Sequence, residues 1–242
     1  MLSEARQRGQ PLAELPVAYR PTTVDQAHAI QMATAAFLHD TIAGWKVATT
    51  PEGLLVRGGL LRSRVYAGDT SLAASLVPLL GVEAEIAFRF DRDLSPRAAS
   101  YTYEDVASAV TAFPAIEVVD SRFPNYPNAP FLDRVADFMS NGAFICGAPK
   151  AAWRSVDLAE LDVELIIDGQ TIVRRVGGHP TKDPLLPAVA LVNDLRASIG
   201  VNAGKVITTG TYTGLNFARP GQTVMATFHG FGSVQVRFEG AA

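Results

Sequence analysis

Apolar positions recur along the chain in two periods, and each period predicts a different kind of element. After Thr23, which forms a capping-box signature with Gln26, the residues Val24, Ala27, Ile30, Ala33 and Phe37 recur near helical spacing and predict an N-terminal helix. Gly44-Trp45-Lys46-Val47-Ala48 opens a short strand, whereas Pro51 to Gly68 is rich in glycine and arginine and reads as a loop with at most brief strands, a candidate lid. Val106, Ala109, Val110 and Phe113 follow helical spacing behind Thr102 and Asp105 and predict a second helix. From Leu161 the period becomes two: Leu161, Val163, Leu165 and Ile167 share a face, Asp168-Gly169 is a hairpin turn, and Ile172, Arg174 and Val176 return. Leu186 to Ile199 reverts to helical spacing after Pro184 and Pro187, and Gly200 ends it. Val206 to Thr209, Val224 to Phe228 and Val234 to Phe238 then read as strands, the last two joined through Gly230-Phe231-Gly232. Antiparallel strands interrupted by a few helices make the fold class α+β, with a sandwich or rolled sheet at its heart. Residues 1–43 are expected to form a helical appendage to a β-sandwich domain over residues 44–242.

Two of the apolar segments contain acids. In Val82-Glu83-Ala84-Glu85-Ile86-Ala87-Phe88 strand alternation points both glutamates the same way, with Val82, Ala84, Ile86 and Phe88 in the core behind them. Desolvated carboxylates side by side repel, and a divalent ion relieves both costs. The alternative is an edge strand with solvated glutamates. A third acid, Glu117, is flanked by apolar residues in Ala115-Ile116-Glu117-Val118-Val119-Asp120-Ser121-Arg122. Alternation puts Glu117 and Asp120 on opposite faces, so Glu117 is the expected third ligand and Asp120 the partner of Arg122 or a turn cap. Three carboxylates without Cys or His suit Mg²⁺ or Mn²⁺ rather than zinc.

Composition narrows the partners. With 48% hydrophobic and 19% charged residues and a net charge of -3, the 242 residues can bury a substantial core and carry no basic stripe suited to nucleic acid. No apolar run reaches the roughly 18 residues of a membrane helix, and the N-terminal residues lack a signal-peptide core. The single cysteine, Cys146, precludes an internal disulfide, fits a cytoplasmic setting and is expected in the core.

The two acidic segments, followed by Thr208-Thr209-Gly210-Thr211 and Phe231-Gly232-Ser233-Val234-Gln235-Val236-Arg237-Phe238, resemble in order the fumarylacetoacetate hydrolase superfamily, within it most nearly the 2-keto-4-pentenoate hydratase and 4-oxalocrotonate decarboxylase branch. The resemblance implies a mixed β-sandwich roll, a Mg²⁺ or Mn²⁺ ion on Glu83, Glu85 and Glu117, a small-molecule 2-oxo acid substrate and a homo-oligomer. It places Lys46 at the catalytic centre, with a pKa that would fall if desolvated near cations. Ser140 and Thr211 fall at substrate-binding positions. Phe138 departs from a commonly seen asparagine, and the shortened stretch before Asp69 leaves that residue as the candidate acid or base. The histidines, His28, His39, His179 and His229, lack the His-Glu pairing of hydrolases in this superfamily; His28 and His39 read as surface or helix-end residues and His179 as a loop residue. The expected activity is hydration of a 2-hydroxypenta-2,4-dienoate-type substrate to a 4-hydroxy-2-oxo acid in aromatic degradation. The alternatives are a 4-oxalocrotonate-type decarboxylase, an acylpyruvate hydrolase or oxaloacetate decarboxylase, and a non-catalytic partner subunit.

Overall fold

The alternating segments pair into two sheets, and the face each residue takes decides where polar groups can gather. The computed structural model describes residues 1–50 and 52–240. In chain order its elements are α1 (Leu2–Arg8), α2 (Val24–Phe37), β1 (Ile42–Thr49), β2 (Leu55–Leu61), β3 (Val65–Ala67), β4 (Thr70–Ala73), β5 (Gly81–Phe90), α3 (Tyr103–Ala107), β6 (Val110–Val119), α4 (Phe131–Ala136), β7 (Asn141–Cys146), β8 (Asp162–Ile167), β9 (Gln170–Val176), α5 (Leu185–Leu195), β10 (Val206–Thr211), β11 (Asn216–Phe217), β12 (Thr223–Phe228) and β13 (Gly232–Glu239). The larger sheet runs β2-β1-β10-β5-β6-β7-β3, with β11 added to β5, and the smaller runs β4-β13-β12-β8-β9. The fold is α+β, as expected.

On β5 and β6 the residues Val82, Ala84, Ile86, Phe88, Ile116 and Val118 join Val163, Leu165, Val224, Ala226, Val236 and Phe238 of the smaller sheet in the main core. Burying each large aliphatic or aromatic side chain there stabilises by about 1.5–3 kcal/mol. The other face of the larger sheet carries a separate cluster, Leu60, Ala87, Phe113, Ala115, Phe144 and Val206. Strands β2 and β7 approach one another around that face, so the sheet curls and encloses it. Any acid on the same face is therefore enclosed too.

Several expectations are corrected. Residues 52–68 are not a lid loop: β2 pairs along the whole of β1, and Pro51 lies outside the described residues. The glycines that suggested a loop serve close packing instead. A Cβ on Gly58 would collide with the Phe138 carbonyl, and one on Gly59 would stand 2.7 Å from Ile42 Cδ1. The α2 face also differs, for the buried residues are Ala27, Gln31, Thr34 and Ala35, while Ala33 and Phe37 are exposed. Gln31 is buried because its side chain donates to the Arg57 and Val135 carbonyls and accepts from Gly59 N–H, which a period of apolar residues does not reveal. At the start of α2 Thr23 accepts from Gln26 N, yet Gln26 reaches back to Thr22 rather than to Thr23. Helix α3 is shorter than predicted, and Val110 and Phe113 lie on β6. It does begin with a complete capping box from Thr102 and Asp105. The N-terminal segment packs closely, with Leu2, Leu15 and Ala27 sharing a buried cluster with Val56, Phe123, Val135 and Ala136.

Candidate metal centre

Strand register brings the three acids together. Glu83 lies directly opposite Glu117 across β5 and β6, and Glu85 follows on the same face of β5. One carboxylate oxygen from each lies within 4.8 Å of the others, with Glu85 and Glu117 buried and Glu83 half-buried. β5 is an interior strand between β10 and β6, which removes the edge-strand alternative. Lys46, on β1, donates from Nζ to Glu117 Oε1 at 2.6 Å. One ammonium thus faces three carboxylates. Burial pushes Glu83 up to about 7, partly offset by Lys46, and burial with the charges of Glu117 and Glu83 holds Glu85 well above the usual carboxylate range. Glu117 Oε2 is buried with no hydrogen-bond partner. An orphaned oxygen, hard donors and surplus negative charge fit a divalent cation.

Polar neighbours hold the acids in place. Thr208, level with Lys46 on the adjoining strand β10, donates to Glu85 Oε2. Asn141 Nδ2 donates to Glu117 Oε1 at 3.0 Å. Thr211 is the cross-strand partner of Glu85, beyond a register shift in β10 that follows Thr208. Ser140 precedes Asn141, and its buried Oγ has no partner. It ends a run of three left-handed residues, Phe138, Met139 and Ser140, at φ of 54, 53 and 60°. Such a run is strained for residues with a Cβ, and most so for a bulky one. Asp137 fixes the turn from below: it accepts from Arg122 Nε at 2.8 Å and Arg6 Nη2 at 3.1 Å, and Arg6 also donates to the Asn141 carbonyl. Tyr126 stands nearby. Burial raises its phenol, which also feels the charges of Lys46, Glu83, Arg134 and Glu117.

Thr208, Asn141 and Tyr126 went unassigned in the sequence. The first two lie inside segments that carried other assignments, and a hydroxyl or amide there reads equally well as a turn former. The remaining candidates fall elsewhere. Asp69 is exposed in the Gly68-Asp69-Thr70 turn, where it accepts from Gln235 N at 3.3 Å, and it is not among the converging acids. Asp120 pairs with Arg122 at 2.8 Å and accepts from Leu79 N. Burial alone would lower the Lys46 pKa, but Glu117, Glu83 and Glu85 outweigh it and hold the ammonium above the ordinary lysine range, opposite to the expected fall. His28 is half-buried within α2 rather than at the surface, and burial lowers it to about 4. His179 is a loop residue but a buried one, set against Gly210 and also lowered by burial to about 4. The Cys146 thiol, half-buried on β7, is pushed up to about 12 by burial and is a poor nucleophile.

Comparison with known proteins places this geometry in context. Residues 62–239 match the family model described as fumarylacetoacetate (FAA) hydrolase C-terminal. The 2-keto-4-pentenoate hydratase of Burkholderia vietnamiensis (strain G4 / LMG 22486) is 35% identical over 184 residues, covering 75% of this chain and 69% of that protein. The 2-keto-4-pentenoate hydratase of Paraburkholderia xenovorans (strain LB400) is 28% identical over 251 residues, 98% of this chain and 92% of that one. Among solved structures, 4-oxalocrotonate decarboxylase from Pseudomonas putida G7, complexed with magnesium and adipate, superposes with a TM-score of 0.79 at 22% identity, over 98% of this chain and 94% of the other.

Proposed function

The chain belongs to the fumarylacetoacetate hydrolase family, and from that premise we propose that it is a metal-dependent hydratase, converting a 2-hydroxypenta-2,4-dienoate-type acid to a 4-hydroxy-2-oxo acid. The observation that carries this reading is the enclosed set of three carboxylates with Lys46 in contact. Glu83, Glu85 and Glu117 would hold Mg²⁺ or Mn²⁺. Such an ion would supply Lewis-acid polarisation to a 2-oxo acid substrate. Lys46 stays protonated beside them, placed to donate to the 2-oxygen as negative charge grows there. The Ser140 hydroxyl, free of internal partners, is placed to bond the substrate carboxylate or the added water, and Thr211 lines the same face. Thr208 and Asn141 fix Glu85 and Glu117 so that neither carboxylate must reorganise during turnover. The apolar cluster of Leu60, Phe113 and Phe144 excludes bulk water from that face.

The test is turnover by the purified chain with Mg²⁺ or Mn²⁺, followed as ultraviolet loss of the dienol with identification of the product. A 4-hydroxy-2-oxo acid supports the reading. Release of carbon dioxide from a 4-oxalocrotonate-type acid moves it to decarboxylation, and no turnover by the chain alone returns the non-catalytic subunit. A cytoplasmic, homo-oligomeric enzyme completes the proposal. The lone half-buried thiol suits a reducing compartment, and Met32, Phe37 and Ile199, at 59%, 73% and 64% exposure, leave apolar surface for a second copy to cover. Light scattering at micromolar concentration should exceed the monomer mass of 25.8 kDa.

A further inference from the structure

Three guanidinium groups line one cavity of about 420 Å³: Arg6 from α1, Arg64 from the turn that links β2 to β3, and Arg122 just beyond the end of β6. Glu83, Glu85, Glu117 and Lys46 are not among its lining residues, so it is distinct from the carboxylate centre. Arg122 is fully committed, giving Nε to Asp137, Nη1 to Asp120 and Nη2 to the Asp120 and Asn141 carbonyls. Arg6 is not. Its Nη2 serves Asp137 and the Asn141 carbonyl, but its Nε is buried with no partner on a side chain only 7% exposed. Burial, with the positive charge of Arg122 and Arg64 added, outweighs Asp137 and Asp120 and lowers the Arg6 pKa to about 9. Arg64 is half-buried and, among the described residues, has no carboxylate partner; its Nη1 reaches only the Leu76 carbonyl, at 3.4 Å. Three guanidiniums against the carboxylates of Asp120 and Asp137 thus leave one positive charge unmatched. Leu76, Leu79 and Phe123 supply apolar wall. The Ser121 hydroxyl accepts from Phe123 N–H, which leaves its own proton to donate.

We propose that this cavity is a binding site, separate from the metal centre, for a small organic acid with a single carboxylate on an apolar body, held chiefly by Arg64 and Ser121. A guanidinium without an acidic partner offers the paired donors that a carboxylate accepts bidentately. One unmatched positive charge calls for a monoanion. A phosphate would bring nearly two negative charges to a wall that already holds Asp120, and it would leave the apolar wall without a partner. A bound carboxylate would also offset the charge of Arg6, which grips Asp137 and the Asn141 carbonyl beneath the turn of Phe138, Met139 and Ser140. Occupancy should therefore stabilise the docking of α1 on the sheet domain. The proposal stands whether or not the acids hold a metal ion.

The test titrates benzoate and its uncharged isostere benzamide calorimetrically into the full chain, kept in chelator so that a carboxylate has no ion to coordinate. Benzoate is expected to bind with a Kd on the order of 1 mM, the scale open to so small a ligand. Benzamide should bind roughly tenfold more weakly or worse, for want of a charge-assisted pair. Arg64→Met, which removes no buried ion pair, should lower benzoate affinity about tenfold and leave benzamide unchanged, and Arg64→Lys should keep part of the preference. Saturating benzoate should raise the Tm of the wild type and not that of Arg64→Met. Equal affinity for the two probes overturns the proposal, as does unaltered benzoate binding by Arg64→Met or the absence of benzoate binding by the wild type. Benzoate that binds only after Mn²⁺ is added sits at the carboxylate centre, which also overturns it. Inorganic phosphate binding more tightly than benzoate would overturn the assignment to an organic monoanion.

Discussion

At the scale of single residues, the centre is a problem of charge. Lys46 offsets one of three enclosed carboxylates and shares Glu117 with Asn141. If its ammonium stabilises charge that is larger in the transition state than in the bound substrate, removing it slows turnover more than it weakens binding. Lys46→Met, which keeps the stem, is expected to lower kcat roughly 100-fold on a 2-hydroxydienoate. Mn²⁺ affinity should survive the change, and near-normal kcat would release Lys46 from that role. Thr208 permits a sharper distinction because its hydroxyl bonds Glu85 and carries no charge. Thr208→Val should weaken Mn²⁺ binding about tenfold, as loss of a partner that orients a metal ligand generally does, and calorimetry reads this directly. The acids were legible in the sequence because strand alternation with apolar residues on every other position has few explanations. The bonds from Thr208 and Asn141 were not, since they depend on which strand lies alongside. Asp69 misled for a related reason: an acid after glycine suits a turn, and its partner proves to be Gln235 N on the smaller sheet.

At the scale of elements, the segment that sequence reasoning read least well is the one that shapes the site. Gly58 and Gly59 suggested a loop, but they let β2 run flush against the left-handed turn that carries Phe138, Met139 and Ser140. A glycine chosen for close approach looks the same in sequence as one chosen for a turn. Phe138 sharpens the point, since asparagine tolerates the left-handed region more readily than phenylalanine. Here burial of the ring and the Arg6 guanidinium 4.8 Å from its centroid help to offset that strain. Gly58→Ala should therefore push on backbone that cannot move freely. The expected loss is about 1–3 kcal/mol, the range of overpacked interiors. It should appear as a lower Tm together with reduced turnover, because the displaced turn holds Ser140 and leads into Asn141. An unchanged Tm would show that the turn yields without cost. The turn and first strand of the β8–β9 hairpin, by contrast, were legible, for Asp168 and Gly169 both take positive φ at the two-residue turn and the alternation on β8 is unbroken. The return was not: a register shift after Leu165 puts Val173 against the core and leaves Ile172 and Val176 exposed.

At the scale of the whole molecule, enclosing the acids should make stability depend on pH and on metal together. The folded-state pKa of Glu83 is raised to about 7 and that of Glu85 is raised well above the ordinary value of 4.5, chiefly by burial. Between the unfolded and folded values the folded chain binds more protons, so this contribution is fully present below about pH 4.5 and is lost as pH rises through the folded values. His28 and His179 act in the opposite sense. Their pKa values are lowered to about 4, so the stability they contribute is present above the unfolded value of 6.5 and is lost as pH falls toward 4. Total stability therefore blends two trends and does not isolate the carboxylates. The increment produced by metal does isolate them, because the histidines are common to both samples and a cation binds only where the acids are ionised. Scanning calorimetry of chelated and Mg²⁺-saturated protein at pH 5.5 and 8.0 should show an increment in Tm that grows with pH. Glu85→Gln should shrink the increment and flatten its pH dependence. An increment that is equal at both pH values in the unaltered protein would place metal binding away from these three residues.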